Sequence, residues 1–197
     1  MTNISAKVVA DLRNRTGLPM MEVKKALVEA SGDENKAIEI LKNKGLSKAD
    51  SKSGRETKSG LIDCYLHDGR IGVMVEVAAE TDFVAKNEDF KTFVHDLTLH
   101  IASAKPEFVS KDDISTEDLG NIKTEYVEQV KKEGKPENMV EKIVEGKLNK
   151  YYSEVCLLNQ PFFKDEDKKV EEVLTELIAK IGENIRIVRF TRYELGC

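Results

Sequence analysis

Apolar residues recur at steps of three and four near the start of the chain, and the spacing predicts three short helices. Ile4, Val8, Val9 and Leu12 form the first stripe, and Thr16-Gly17 supplies its stop, since glycine takes the left-handed conformation that ends a helix at no steric cost. Pro19 suits the opening of the second, because its missing N–H has no partner in a first turn anyway. That helix carries Met20, Val23, Ala26 and Leu27 and stops near Gly32. Asp33 is the expected N-cap of the third, in which Ala37, Ile38 and Leu41 face inward and Gly45 is the end. Three such helices enclose little apolar volume, so residues 1–52 read as a docking module rather than a catalytic domain. The stretch from Ser47 to Gly60 is polar and basic, and it reads as a boundary whose linker reaches about residue 59.

From residue 60 to 197 the pattern mixes two periods. "LIDCYLHDGRIGVMVEVAAE" gives two strand-like runs joined through Asp68-Gly69, a pair that favours the positive φ angles of a tight hairpin. "TDFVAKNEDF" follows, with Phe83 seven residues before Phe90, so an unbroken helix would bury both rings on one face. Asp82 and Asn87 are both cap-type residues, however, and a separate short turn before a helix starting near Glu88 would project Phe83 outward. Phe90, Phe93, Val94, Leu97 and Ile101 mark that helix, which ends before Pro106.

A charged segment from Ser110 to Lys135 has helical patches around Val127 and Val130. Another helix is expected from Pro136 to about Tyr152, with Met139, Val140, Ile143 and Leu148 inward. Further strands are expected in "EVCLLNQPFF" and "NIRIVRFTRYEL", flanking a helix that carries Val170, Val173, Leu174, Leu177 and Ile181 and stops near Gly182. Ile187 and Val188 are adjacent in the last strand, which predicts a bulge or cover on both faces. The result is an α+β domain over residues 60–197, a small antiparallel sheet packed on helices. Its edges need cover, and self-association is one way to supply it.

Composition narrows the function classes. A chain of 197 residues with 40% hydrophobic content builds a real core, and a net charge of −5 leaves no global positive field to hold a polyphosphate backbone. Direct nucleic-acid binding is therefore not expected, although Lys24-Lys25 and the basic linker keep an RNA-associated reading open beside the simpler one of a solvated helix face. Met1-Thr2-Asn3-Ile4-Ser5 lacks the basic region and apolar run of an export signal, and charges interrupt every hydrophobic stretch. A cytoplasmic protein without a membrane partner is expected. The odd cysteines form no CxxC pair, so Cys64 and Cys156 are read as buried thiols and Cys197 as a free terminal one.

Chemistry-bearing motifs are missing. No phosphate-cradling glycine loop, HExxH or nucleophile signature occurs, and His67, His95 and His100 are not at metal-ligand spacing, so no catalytic residue, metal or bound cofactor is expected. Met20-Met21 stands out because adjacent residues on a helix point about 100° apart. One belongs in the small core and the other at its rim, or against a partner as an adaptable thioether contact. Taken alone, these residues give an α+β protein with a helical docking module, and an interaction adaptor remains an open alternative.

Several segments, in order over nearly the whole chain, resemble the elongation factor Ts family: "LRNRTGLPMMEVKKAL", "SGDENKAIEIL", "TDFVAKNEDF", "KIVEGKLNKYYSEVCLLNQPF" and "IRIVRFTRYELG". The resemblance implies a guanine nucleotide exchange factor for elongation factor Tu in translation elongation, acting on the GDP-bound and nucleotide-free GTPase without bond chemistry of its own. It implies a ubiquitin-associated-like module in the first helices, docking through Arg13, Met20, Met21 and Lys24. Thr81, Asp82, Phe83 and Val84 match the family's exchange motif, whose aspartate and phenylalanine insert between helices of the GTPase near its magnesium site. Long family members carry two core subdomains and a coiled-coil insertion, whereas this chain has room for one core. It looks like the short form, which implies a homodimer paired through the core sheet.

Overall fold

The computed structural model describes residues 4–134 and 136–196, with the backbone alone at Lys48. In chain order the elements are helices α1 (Ala6–Thr16), α2 (Met20–Glu29) and α3 (Glu34–Lys52), strands β1 (Ser59–His67) and β2 (Ile71–Ala79), and the short helix α4 (Asp82–Ala85). Helices α5 (Glu88–Ala104), α6 (Thr116–Lys132) and α7 (Glu137–Val155) follow, then β3 (Pro161–Phe162), β4 (Asp165–Lys169), α8 (Val170–Ile181) and β5 (Ile185–Glu194). One sheet has the order β1-β2-β5, and β3 pairs with β4 antiparallel in a second. The fold is thus mixed helix and small sheet, of the α+β class. Among the described residues no helix is long and apolar enough to cross a membrane.

The chain divides into two units. The first comprises Met1–Leu61, Val77–Thr92 and Glu172–Arg186. Within it, Ser5 caps α1 by accepting the Val8 N–H, and Gly17 ends the helix at φ 67° while its N–H donates to the Arg13 carbonyl. Asp33 caps α3 as the sequence predicts, accepting from the Asn35 and Lys36 N–H groups. Val9, Leu12, Val23, Ala26, Leu27, Ala37 and Leu41 close a common core. Gly45 does not end α3, which continues to Lys52 through much of the stretch read as linker. Gly45 is buried within the helix and lacks the positive φ of a helix stop, and a Cβ there would make only ordinary contact with the Ala179 Cβ at 3.6 Å, so the burial of the helix carries it past the glycine. Gly60 is a close approach, at φ 148°, where a Cβ would fall 2.2 Å from the Val77 carbonyl oxygen.

The second unit comprises Ile62–Glu76, Phe93–Glu171 and Ile187–Cys197. Its hairpin turn has Asp68 at φ 49° and Gly69 at φ 67°, the backbone that the Asp-Gly pair favours. The charged segment after Ser115 forms one continuous helix rather than patches. Ser115 caps α6, and Val130 buries with Val140, Val144 and Leu148 of α7 in a helical hairpin with its own core. Met139 lies outside that core, exposed on α7.

"EVCLLNQPFF" is not a strand. Helix α7 runs through Val155, Cys156 makes an isolated parallel bridge to Phe108, a 3₁₀ turn takes Leu157–Asn159, and Pro161–Phe162 pairs with a charged strand that the hydrophobic pattern did not reveal. Within this segment the Gln160 amide donates to the carbonyls of Glu154 (2.7 Å) and Ala104 (3.3 Å), which turns its oxygen to buried His100. In β5 the alternation of covered and exposed positions slips at Val188, as the adjacent Ile187 and Val188 predict. Cys156 is buried, and that burial pushes its thiol up to about 11. Cys64 is exposed, contrary to expectation, because it shares the solvent-facing period of β1 with Ile62 and Leu66. Cys197 lies outside the described residues.

Candidate partner-binding site

Thr81 to Val84 occupy a turn whose two ends are held and whose middle is presented to solvent. At its entry Thr81 takes the cap position of α4, but its side chain caps nothing. The Thr81 N–H donates to one carboxylate oxygen of Glu183 at 3.0 Å, and the Thr81 hydroxyl donates to the other at 2.9 Å. Glu80, one residue earlier, accepts the Asn184 N–H at 2.6 Å. That bond, supported by Arg55 at 3.5 Å, holds the Glu80 carboxyl below its ordinary range. The Asn184 amide in turn donates to the carbonyls of Arg55 (2.8 Å) and Ser53 (3.3 Å).

Past the entry, the four side chains diverge. Asp82 is exposed and accepts from the Lys86 ammonium at 2.8 Å, which lowers its pKa, with smaller help from the N–H groups of Asp82 and Phe83. Phe83 is 80% exposed. Val84 is buried and pins the middle of the turn to the core. At the exit Asn87 caps α5, its side-chain oxygen accepting the Asp89 and Phe90 N–H groups at 2.8 and 3.4 Å, while its own N–H donates to the Val84 carbonyl. A short turn is therefore separate from the helix as expected, but of the two cap-type residues only Asn87 acts as a cap; Asp82 is the first residue of α4 and binds Lys86. Phe83 escapes the buried face on which Phe90 lies because the helical period breaks between them.

The four docking candidates are all exposed. Arg13 stands in the last turn of α1, and Met20, Met21 and Lys24 in the first turns of α2. Neither methionine enters the core: Met20 is 51% and Met21 62% exposed, which corrects the expectation that one of the pair lies in the small core. Val23, Ala26 and Leu27 already fill the inner face of α2, and Pro19 starts the helix so that both methionines lie beside that stripe. Lys180 lies against Gly17, between α1 and α2, and pairs with Asp89 at 2.8 Å.

Hydrophobic periodicity contains no trace of Glu183, Asn184, Glu80 or Arg55, because their roles depend on side chains reaching across some hundred residues of sequence. The only local sign is Gly182-Glu183-Asn184, a polar turn after an apolar stripe, which marks a helix end but not what its side chains hold. Among the described residues, no group of three or more His, Cys, Asp or Glu side chains is placed to hold a metal ion. What the site offers is an exposed aromatic ring beside a carboxylate on an anchored turn, together with an apolar and basic helix face. Such surfaces suit protein recognition.

Comparison with known proteins agrees. The family model described as elongation factor TS matches residues 20–197. A protein of Acetivibrio thermocellus named elongation factor Ts is 56% identical over 194 residues, covering 98% of this chain and 90% of that one. One of the same name from Desulforamulus reducens is 53% identical over 197 residues, covering 100% and 91%. Another, from Caldanaerobacter subterraneus, is 50% identical over 194 residues, covering 98% and 97%. With the family model matching most of the chain and that identity sustained along both chains, this chain belongs to the elongation factor Ts family of translation elongation factors.

Proposed function

We propose that this chain is a guanine nucleotide exchange factor for elongation factor Tu, and that it speeds GDP release by inserting the Asp82-Phe83 turn near the GTPase's magnesium and phosphate site. The observation that carries this reading is the exposure of Phe83 on a turn whose neighbours Thr81 and Val84 are fixed. A large ring left in water has no use in the free fold. Buried in a partner it contributes about 1.5–3 kcal/mol, which favours a GTPase conformation with poorly formed phosphate and Mg²⁺ contacts. Asp82 bears on polar groups of the partner beside it. Nucleotide and factor then weaken each other's binding by the same factor, since coupling is reciprocal. Excess GTP sets which nucleotide reloads, so the chain performs no bond chemistry and needs no cofactor.

Residues 1–52 serve in this reading as a ubiquitin-associated-like docking module, with Arg13, Met20, Met21 and Lys24 against the GTPase, and residues 60–197 as the core. Stopped-flow release of a fluorescent GDP from elongation factor Tu tests the wedge. Phe83→Ala should slow the stimulated rate by about 10- to 100-fold, the burial energy converted at about 1.4 kcal/mol per decade. Stimulation equal to the parent's would move the mechanism away from Phe83, and no stimulation by the parent would end the exchange reading.

The core is proposed to pair with a second copy through its sheet. Ile62, Leu66 and Met74 are exposed on β1 and β2, and Leu66 lies within reach of Gly72, two residues before Met74, so they share a face. Light scattering under reducing conditions decides this point. A dimer that dissociates on Leu66→Glu supports the pairing, and a monomer at all working concentrations refutes it.

A further inference from the structure

We propose that Glu183 is a positioning residue for exchange: its carboxylate, bonded to both the N–H and the hydroxyl of Thr81, sets the direction in which Phe83 is presented. The proposal rests on the exchange reading above and extends it to a residue outside the motif.

A helix of four residues, such as α4, cannot hold itself, because one turn fixes several dihedral angles for almost no hydrogen bonds. The direction of its exposed ring must therefore be set from the ends. The exit is fixed locally by Asn87 and by the burial of Val84. The entry has no such local device: Thr81 makes no cap bond, and its N–H and hydroxyl both go to Glu183, 102 residues away in sequence. Glu80 answers with the reverse bond to the Asn184 N–H, so each acidic side chain holds the backbone of the other segment. This reciprocal arrangement resembles a capping box built across two loops. Its second arm, from the Asn184 amide to the carbonyls of Ser53 and Arg55, ties the same corner to the end of α3. Glu183 is half-buried, and a charge-assisted bond to a backbone N–H is among the stronger protein hydrogen bonds. Without it, Thr81 is free to rotate and the ring samples directions that do not fit a partner.

The test compares the full-length parent with Glu183→Ala, Glu183→Gln and Phe83→Ala in stimulated GDP release from elongation factor Tu, measured against factor concentration. Amide hydrogen exchange at Thr81 and the thermal midpoint are recorded alongside. In Glu183→Ala the maximal rate should fall by roughly 10- to 100-fold, the scale of a misplaced contact group, while the half-saturating concentration stays near the parent's. The Thr81 amide should lose protection. Glutamine restores both readouts, because it still accepts from the Thr81 N–H and meets the hydroxyl through its amide.

A parental maximal rate in Glu183→Ala, with Phe83→Ala impaired, overturns the positioning role and leaves the wedge standing. Parental rates in both variants overturn both ideas. A slow Glu183→Ala beside a parental Phe83→Ala ends the wedge and overturns the proposal with it, since Glu183 is proposed to act by directing that ring. Equal loss in the alanine and glutamine variants, with a lowered thermal midpoint in each, assigns Glu183 to general stability and overturns the proposal.

Discussion

Phe83 and Phe90 are seven residues apart, and truncating each to alanine should give opposite outcomes for stability. Phe90 is fully buried, 0% exposed, so Phe90→Ala loses a whole ring and leaves a cavity, at a cost of about 3–5 kcal/mol. Phe83 is 80% exposed, so about a fifth of a side chain of about 200 Å² is covered, or about 40 Å². At about 25 cal/mol per Å², that is worth about 1 kcal/mol at most. Alanine's better helix propensity returns about 0.5 kcal/mol of it, and the net change for Phe83→Ala should stay below about 1 kcal/mol. The assay is urea unfolding followed by far-ultraviolet circular dichroism, since the chain has no tryptophan, with the denaturant slope checked for constancy across the variants. A loss above about 2 kcal/mol in Phe83→Ala would show the ring packed in the free protein and would refute both the outward turn and the wedge drawn from it. A small loss in Phe90→Ala would refute the break in period between the two residues.

Two further outcomes follow from single residues. Gly60→Ala should destabilise by about 2–4 kcal/mol through strained φ and overlap with the Val77 carbonyl, whereas Gly54→Ala, with open space around it, should be nearly neutral; equal urea midpoints for the two would refute the close approach. Burial holds the His100 pKa below its ordinary value of 6.5, partly opposed by the Gln160 bond. The neutral ring suits its site: Nε2 donates to Gln160 at 2.9 Å, while Nδ1 accepts the Phe163 N–H at 3.3 Å, so a second ring proton would face another donor. A depressed folded-state pKa means this contribution is complete above pH 6.5 and is lost as the pH falls through the folded value. Between about pH 7.5 and 5.5 the parent should therefore lose more stability than His100→Gln, and equal losses would refute the neutral buried ring.

The legible parts of this molecule were those in which a residue acts on its own neighbourhood. Asp33 and Asn87 cap the helices they precede, Asp68-Gly69 turns its hairpin, and the stripe from Phe90 to Ile101 buries as one face. The illegible parts depend on what lies opposite. Gly45 has the composition of a stop, but it is buried within α3, and tertiary packing carries the helix onward against glycine's low propensity. "EVCLLNQPFF" has the apolar density of a strand, yet its first residues complete a helix, and Gln160 spends its hydrogen bonds on the carbonyls of Glu154 and Ala104.

The candidate site divides along the same line. The exposed turn could be located because its caps and aromatic ring lie within ten residues, and the resemblance to a family named those positions. Its support could not be read in that way, since Glu183 and Asn184 sit in a polar turn whose meaning depends on Glu80, Thr81, Ser53 and Arg55. The physics nevertheless requires some such support. A bulky ring exposed on four residues of helix loses its directional preference unless both ends are fixed, and only the exit end has a local anchor. The missing constraint had to come from elsewhere in the chain, and the bonds from Thr81 to Glu183 supply it.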